Sequence, residues 1–223
     1  MIPLATKADA AQVERLIDLI AGRACVVVGS APLKAPAVAV ADSELVIAVN
    51  GGISSVARAV DVWFVASRPQ DKPGSAHVKP LHLTMLKQAK GRTAGHVVLL
   101  RGPKEASEDA TLAMLKRLEC RHHSWSVLDK PTKRWIEGEI CARRSDKAHC
   151  SSGILATAVA LWCRAESVRL EGFSFVPGYH YLPQERGASW WRNHVDADRR
   201  ALRALQEHYG ARLSGAILER VAA

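Results

Sequence analysis

The sequence predicts an α/β fold in which one domain over residues 1–223 has a mostly parallel open sheet with helices on both faces. Short, β-branched apolar runs, such as CVVVG at 25–29 and ELVIAVN at 44–50, are typical of strands buried on both faces of a parallel sheet. Segments with helical periodicity alternate with these runs, and no repeat, low-complexity tract or linker divides the chain. This arrangement is Rossmann-like.

In the N-terminal half, continuous apolar runs predict strands, and apolar residues that recur every three to four positions predict helices. Val13, Leu16 and Ile20 form one face of a helix at 8–21. Asn-Gly-Gly ends the second strand, and the segment ISSVARAV favours a helix that begins near Ile53. The other elements predicted in this half are a strand at 62–66, a helix at 77–90, a strand at 96–100 and a helix at 108–119.

In the C-terminal half, the pattern is weak before residue 150 and strong after it. A short strand is predicted at 124–128, and the charged segment 129–150 is predicted to be a loop with one helix around Trp135. The apolar segment 151–165 predicts a helix with Ser151 or Ser152 as its N-cap. The remaining predictions are a strand at 167–175, an aromatic-rich loop at 176–193 and a helix at 194–208 that ends at Gly210.

The formal charge of +9 and the isoelectric point near 9.6 favour anionic partners, such as nucleotides, acidic sugars or an acidic membrane surface bound peripherally. The basic residues are interspersed with acids, which is not typical of a nucleic-acid-binding arm, so no nucleic acid partner is expected. The N-terminal segment lacks a signal-peptide h-region, and no apolar run is long enough to cross a bilayer. A soluble, cytoplasmic protein is therefore expected.

The cysteines indicate reduced thiols rather than a disulfide framework. There are five, they are irregularly spaced, and they include no CxxC pair. Cys141, His149 and Cys150 lack the fourth ligand and close pairing of a zinc site. We therefore expect no metal site and no structural disulfide.

Ligands of parallel sheets bind beyond the carboxyl ends of the strands, near the point where the strand order reverses. Gly29 and Ser30 follow the first strand, where backbone N–H groups can face a phosphate or glycine can simply allow a tight turn. The segment matches neither GxGxxG nor Walker A, which disfavours an NAD or ATP site. Asn50 and Gly51 follow the second strand, where an amide can reach a ribose or a phosphate.

Ser151, Ser152 and Gly153 open the apolar helix of the C-terminal half. Helix capping alone explains one of the serines. A helix N-terminus with two hydroxyl groups and a glycine is also a good anion site, because its free N–H groups and its dipole favour negative charge.

The aromatic-rich loop and the last helix carry the candidate acid–base residues. His180 and Tyr181 lie in the loop, where such side chains are harder to explain as core. His194 and Asp198 form an i, i+4 pair in which the carboxylate can orient or charge the imidazole, unless the two are only a surface pair.

Taken together, these segments resemble the sialyltransferases of glycosyltransferase family 29. CVVVGS with DSELVIAVNGG is similar to the long sialylmotif, and SSGILATAVALWCRAESVRLEGF is similar to the short sialylmotif. Tyr179-His180-Tyr181 is similar to the His-Tyr motif, and His194 with Asp198 is similar to the terminal H-x-x-x-E motif. Residues 67–150 carry no motif of the family.

The resemblance implies a GT-A-variant-like sheet and a metal-independent, inverting enzyme. Such an enzyme moves an acidic sugar, of the sialic acid or Kdo type, from a CMP-sugar donor to a hydroxyl of a glycan or glycolipid acceptor, and it uses no cofactor besides this donor substrate. His194 is implied to be the general base beside Asp198, and His180 to neutralise the leaving phosphate. The implied donor-binding residues are Gly29, Ser30, Asn50, Gly51, Ser151, Ser152, Gly153, Gly172, Phe173 and Tyr181.

The chain departs from the family in several places. Ser30 stands where the family has Asn, no Arg precedes Asn50, and Asp198 replaces Glu. Cys25 matches the cysteine of the first motif, but Cys163 is displaced from the second, so the family's disulfide is not implied. We expect bacterial-type members to be the nearer comparison, because the chain is short and is expected to lack the membrane anchor of Golgi members.

Two other functions are open on the sequence. One is a hydroxymethylpterin diphosphokinase-like enzyme that uses ATP and magnesium, which would need an acidic metal-binding pair that Asp42, Asp61 and Asp71 do not obviously form. The other is a non-catalytic nucleotide- or sugar-binding protein, in which His180 and His194 would have no chemical role.

Overall fold

A computed structural model gives the structure of the protein and describes residues 7–30, 38–67, 89–101, 108–128, 130–139, 150–175 and 189–222. Its centre is a seven-stranded sheet whose neighbouring strands are all parallel. The strands are β1 Ala24–Val28, β2 Leu45–Val49, β3 Val60–Ser67, β4 Thr93–Arg101, β5 Arg121–Leu128, β6 Ser167–Glu171 and β7 Leu213–Ser214. The helices are α1 Lys7–Ile20, α2 Glu108–Arg117, α3 Lys130–Glu139, α4 Ser152–Trp162, α5 Ser189–Tyr209 and α6 Ala216–Ala222.

The strand order is β5-β4-β3-β2-β1-β6-β7. The chain builds outward from β1 to β5 and then returns to place β6 on the other side of β1, so the order reverses between β1 and β6. Val28 of β1 lies opposite Glu171 of β6, and the Gly29 N–H donates to the Glu171 carbonyl oxygen at 2.8 Å. The two strands therefore end side by side. The predicted α/β class with a parallel open sheet is confirmed.

Both faces of the sheet are covered, as predicted. One core packs apolar residues of α1, α3, α4, α5 and α6 against the sheet, and the other packs α2 and the segment after β2 against the opposite face. Successive strand residues alternate between these cores, so that Trp63 lies in one and Phe64 in the other. Strands buried on both faces explain the continuous apolar runs in the sequence.

Helix α4 is the most deeply buried helix of the described structure. Every residue from Gly153 to Leu161 is buried, between the sheet and helices α3 and α5. On the α3 side, the Trp135 and Trp162 rings meet edge to face with centroids 6.3 Å apart. A helix packed on all sides needs no polar face, which accounts for its uniformly apolar sequence.

Three predictions about elements need correction, and two elements were not predicted. The helix predicted from near Ile53 is instead a short 3-10 helix, Asn50–Ser55, because the next strand begins at Val60 and leaves too little chain for an α-helix. Strand β6 ends at Glu171, not at residue 175, and α5 begins at Ser189, not at His194. The sequence analysis did not predict β7 and α6.

The other predicted elements are found within a few residues of their expected ends, including α3 around Trp135 and the end of α5 before Gly210. The helix predicted at 77–90 lies outside the described residues, except for its last two positions, which form a turn.

His96 of β4 is buried on the sheet face that carries α1, with 1% of its surface exposed. Its Nδ1 and Nε2 atoms each lie 2.8 Å from a hydroxyl oxygen of β5, those of Ser124 and Ser126. Burial, followed by the charges of Arg15 and His122, lowers the pKa of His96 to about 4. The neutral imidazole thus joins the edge strand β5 to the sheet.

We predict that acid destabilises the protein through His96. An unfolded histidine has a pKa of about 6.5, so below that pH the unfolded chain binds a proton that the folded chain excludes. The free energy of unfolding should fall by roughly 2–3 kcal/mol between pH 7 and pH 4.5, measured by urea denaturation. His96→Gln should reduce that fall by most of this amount, whereas His123→Gln, at an exposed site on the same strand, should not. An unchanged pH dependence in His96→Gln would contradict the assignment.

Candidate active site

The ends of β1 and β6 and the start of α4 meet around the ring of Phe173. A Cβ atom built on Gly29 would lie 2.5 Å from the Gly172 carbonyl oxygen and 3.2 Å from Cδ2 of Phe173. A Cβ atom built on Gly153 would lie 2.7 Å from Cε1 of Phe173. The three elements approach so closely only because both positions lack a side chain. Their meeting point is the reversal of strand order, where ligands of such sheets bind.

The turn after β2 forms a second side of this crevice. A side chain on Gly52 would collide with the carbonyl oxygens of Val28 and Gly29, so the turn lies directly against the end of β1. Asn50 has a φ of 49°, in the left-handed region that asparagine tolerates better than most residues. Its Oδ1 accepts from the Ala66 N–H and its carbonyl oxygen accepts from Trp63 Nε1, both at 2.9 Å. Asn50 is therefore rigidly held.

The N-terminus of α4 supplies backbone donors at the crevice. Ser151 is the N-cap, with extended backbone, and its Oγ accepts from the Ile154 N–H at 3.4 Å. The N–H groups of Ser152 and Gly153 have no intrahelical acceptor, and no acceptor is found for them among the described residues. Two backbone donors and the positive end of the helix dipole are thus available to an anion.

Helix α5 brings its first turns to the same edge of the sheet. It connects parallel neighbours β6 and β7, so it runs antiparallel to them and begins at their carboxyl ends. Its 21 residues span about 31 Å, well beyond the strand β6. Asp198 Oδ1 accepts from the Ser151 N–H at 2.7 Å, which ties this helix to the N-cap of α4. His194 lies one turn earlier, about 6 Å along the helix axis.

The charges at the end of β6 are already paired within the protein. Arg169 donates to Glu171 Oε1 at 2.6 Å and to Glu44 Oε2 at 2.9 Å. The hydrogen bonds from Arg169 lower the pKa of Glu44 below its usual value. Because the carboxylate of Glu171 is paired in this way, it repels an anion in the neighbouring crevice less than a lone carboxylate would.

The structure brings together most of the residues that the sequence analysis selected. The residues that surround the crevice are Gly29, Ser30, Asn50, Gly51, Ser151, Ser152, Gly153, Gly172, Phe173 and Asp198. His194 is placed there by its backbone on α5. His180 and Tyr181 lie outside the described residues, and their predicted roles are not tested.

Two features of the crevice were not predicted. Asp198 was interpreted as a partner of His194, and the hydrogen bond from Ser151 to Asp198 was not predicted. This bond joins residues 47 positions apart, so no local pattern in the sequence indicates it. Gly52 was identified as part of the Asn-Gly-Gly turn but not as a site residue, although a Gly-Gly pair after a buried strand is a signal for close backbone approach.

A separate open hollow lies between helix α2 and the start of the edge strand β5. It is about 19 Å from β1, four strand spacings away. Its lining combines apolar residues with both signs of charge: Leu112, Ala113, Lys116, Glu119, Cys120, Arg121 and His122. Arg121 and His122 begin β5, so the hollow lies at the amino end of this strand, whereas ligands of parallel sheets bind at the carboxyl ends. We therefore place the candidate site at the β1–β6 reversal.

Within the described parts of the chain, no three His, Cys, Asp or Glu side chains cluster closely enough to hold a metal ion. The helices that could be assessed include none with the length and apolar character of a membrane span. Cys25, Cys120 and Cys163 are free and buried, and Cys150 is buried as well. Burial raises the pKa of both Cys25 and Cys163 to about 12, so both thiols stay protonated.

Solved sialyltransferases have a similar backbone. CstII from Campylobacter jejuni, in complex with the substrate analogue CMP-3FNeuAc, matches with a TM-score of 0.50 and 12% identity, over 86% of this chain and 80% of that chain. CST-II with a trisaccharide acceptor and CMP gives a TM-score of 0.51 and 12% identity, over 86% and 80% of the two chains. Cst-I from Campylobacter jejuni, a monofunctional α-2,3-sialyltransferase, gives a TM-score of 0.51 and 12% identity, over 87% of this chain and 75% of that chain.

The chain has a sialyltransferase-like fold. This chain is similar to these sialyltransferases in its backbone fold, whereas no protein-family model and no curated protein matches its sequence. The resemblance drawn from the sequence motifs is confirmed at the level of fold. In this sialyltransferase-like fold, the crevice at the β1–β6 reversal is where Gly29, Asn50, Ser151 and Gly153 of the similar motifs lie.

We predict that adding one methyl group to Gly29 at the crevice destabilises the folded protein. Gly29→Ala should lower the free energy of unfolding by about 1–3 kcal/mol, because the new Cβ must displace the Gly172 carbonyl or the Phe173 ring. Gly138→Ala in α3 is the control, since its Cβ would meet nothing within 4 Å and alanine favours the helix by up to about 1 kcal/mol. Equal urea midpoints for the two variants would show that the close approach at Gly29 is not a constraint.

Proposed function

We propose that the chain is a glycosyltransferase whose donor is a CMP-linked acidic sugar of the sialic acid or Kdo type. The acceptor is a hydroxyl group of a glycan or glycolipid. The proposal depends chiefly on one observation: the crevice at the strand-order reversal joins unpaired helix N–H groups to a helix that carries His194. The fold supports it, because proteins of this fold were solved with CMP and with a trisaccharide acceptor.

The donor phosphate is assigned to the N-terminus of α4. The Ser152 and Gly153 N–H groups and the helix dipole both favour an anion there. Asn50 is assigned to the nucleotide: its Oδ1 is used within the protein, which directs its side-chain NH₂ group, a donor only, toward ligand oxygens. Gly29 and Gly172 allow the ligand to approach the backbone at the strand ends.

The transfer step needs a base and stabilisation of the leaving group. In the proposed mechanism, the acceptor oxygen attacks the anomeric carbon and forms the new C–O bond, while the bond from that carbon to the phosphate oxygen breaks and CMP departs. The acceptor proton passes to the imidazole of His194, and His180 neutralises the charge on the leaving phosphate. Attack opposite the leaving group inverts the anomeric centre.

The first test is a thermal-shift panel of CMP, UDP, ADP and S-adenosylmethionine without added metal. We predict that CMP alone stabilises the protein, because a ligand that binds only the folded state raises its stability. At a hundredfold excess over the dissociation constant, the melting temperature should rise by roughly 5–10 °C. Stabilisation by ATP with magnesium, but not by CMP, would favour the diphosphokinase-like function and contradict the proposal.

The second test separates chemistry from binding. His194→Ala should lower transfer from a CMP-sugar by about 10²–10⁴-fold, because the acceptor loses its general base. The same variant should bind CMP as the wild type does. His208→Ala, at an exposed position in the last turn of the same helix, should retain full transfer. Wild-type turnover in His194→Ala would remove His194 from the mechanism.

A further inference from the structure

Arg199 lies beside the contact that joins α5 to the start of α4. It follows Asp198, whose carboxylate contacts the N-cap of α4, at the middle of α5. The central carbon of its guanidinium lies 5.2 Å from the ring centroid of Phe175, a buried residue shortly after β6. The cation is therefore fixed on the α5 side of the reversal between β1 and β6.

The charge of Arg199 has no anionic partner among the residues that the structure describes. Arg169, by comparison, makes ion pairs with both Glu44 and Glu171. Arg199 is exposed, and its one described partner is the Phe175 ring. A guanidinium that lies over an aromatic ring can still present its planar array of N–H donors to a carboxylate in bidentate fashion.

We infer that Arg199 recognises the carboxylate of the donor's acidic sugar. The inference rests on the proposed function. In a CMP-linked 2-keto acid sugar, the carboxyl group and the phosphate oxygen are bonded to the same anomeric carbon. A site that binds the phosphate at the start of α4 therefore needs a carboxylate-binding group close by. The hydrogen bond between Asp198 and Ser151 joins the helix that carries Arg199 to the start of α4.

This assignment gives Arg199 a role in specificity. A nucleotide sugar without a carboxylate would leave the guanidinium with no anion to bind, whereas an acidic sugar forms charge-assisted hydrogen bonds with it. The phosphate is assigned to the start of α4 and the carboxylate to Arg199, so CMP and a CMP-linked acidic sugar should respond differently to the loss of Arg199.

Isothermal titration of the full chain with CMP and with CMP-3FNeuAc tests the inference. Arg199→Gln should weaken binding of the analogue at least tenfold and change CMP binding by less than twofold. Arg199→Lys keeps the charge but not the planar donor array, so it should give a smaller loss. Arg200→Gln, which removes an exposed neighbouring arginine of the same helix, should leave both affinities unchanged.

The outcomes separate this inference from the proposed function. If the wild type does not bind CMP, the proposed function fails. If it binds both ligands and Arg199→Gln weakens neither, or weakens both equally, only the role of Arg199 is overturned. Wild-type protein that binds the analogue no more tightly than CMP would likewise overturn it.

Discussion

The packing of Phe173 against two glycines is the constraint on which the site depends. Its ring occupies the space where side chains at Gly29 and Gly153 would otherwise lie, and so it holds the end of β1, the end of β6 and the start of α4 together. Since α4 is buried along its length, it has little freedom to shift without disturbing the core. The position of its N-terminus is thus set by packing before any ligand arrives.

This rigidity matters for anion binding. Backbone N–H groups that are already oriented stabilise negative charge without first having to reorganise. The helix that carries the proposed base is joined to this rigid part by the hydrogen bond from the Ser151 N–H to the Asp198 carboxylate and by the packing of Ala201, Leu202 and Leu205 in the core. In the proposed function, the sheet and α4 hold the donor, and α5 carries the base.

The elements that could be predicted from the sequence are those with a strong local signal. Continuous apolar runs identified β1, β2 and α4, and the rule that ligands bind at strand ends located the crevice. The segment after β2 was misjudged because its apparent helical period includes Val60, which begins β3. Helix α6 had a usable signal in the spacing of Ile217, Leu218 and Val221, all of which are buried.

Contacts between distant segments could not be predicted. Nothing near Gly153 in the sequence indicates that the ring of Phe173 lies against it, and nothing near Asp198 indicates Ser151. The central claim of the account is that CMP binds at the start of α4. Amide chemical-shift mapping with CMP tests it most directly, and the account predicts that the largest changes occur at Gly29, Ser30, Ser152 and Gly153. Changes confined to the hollow near Lys116 and Arg121, with none at the start of α4, would contradict it.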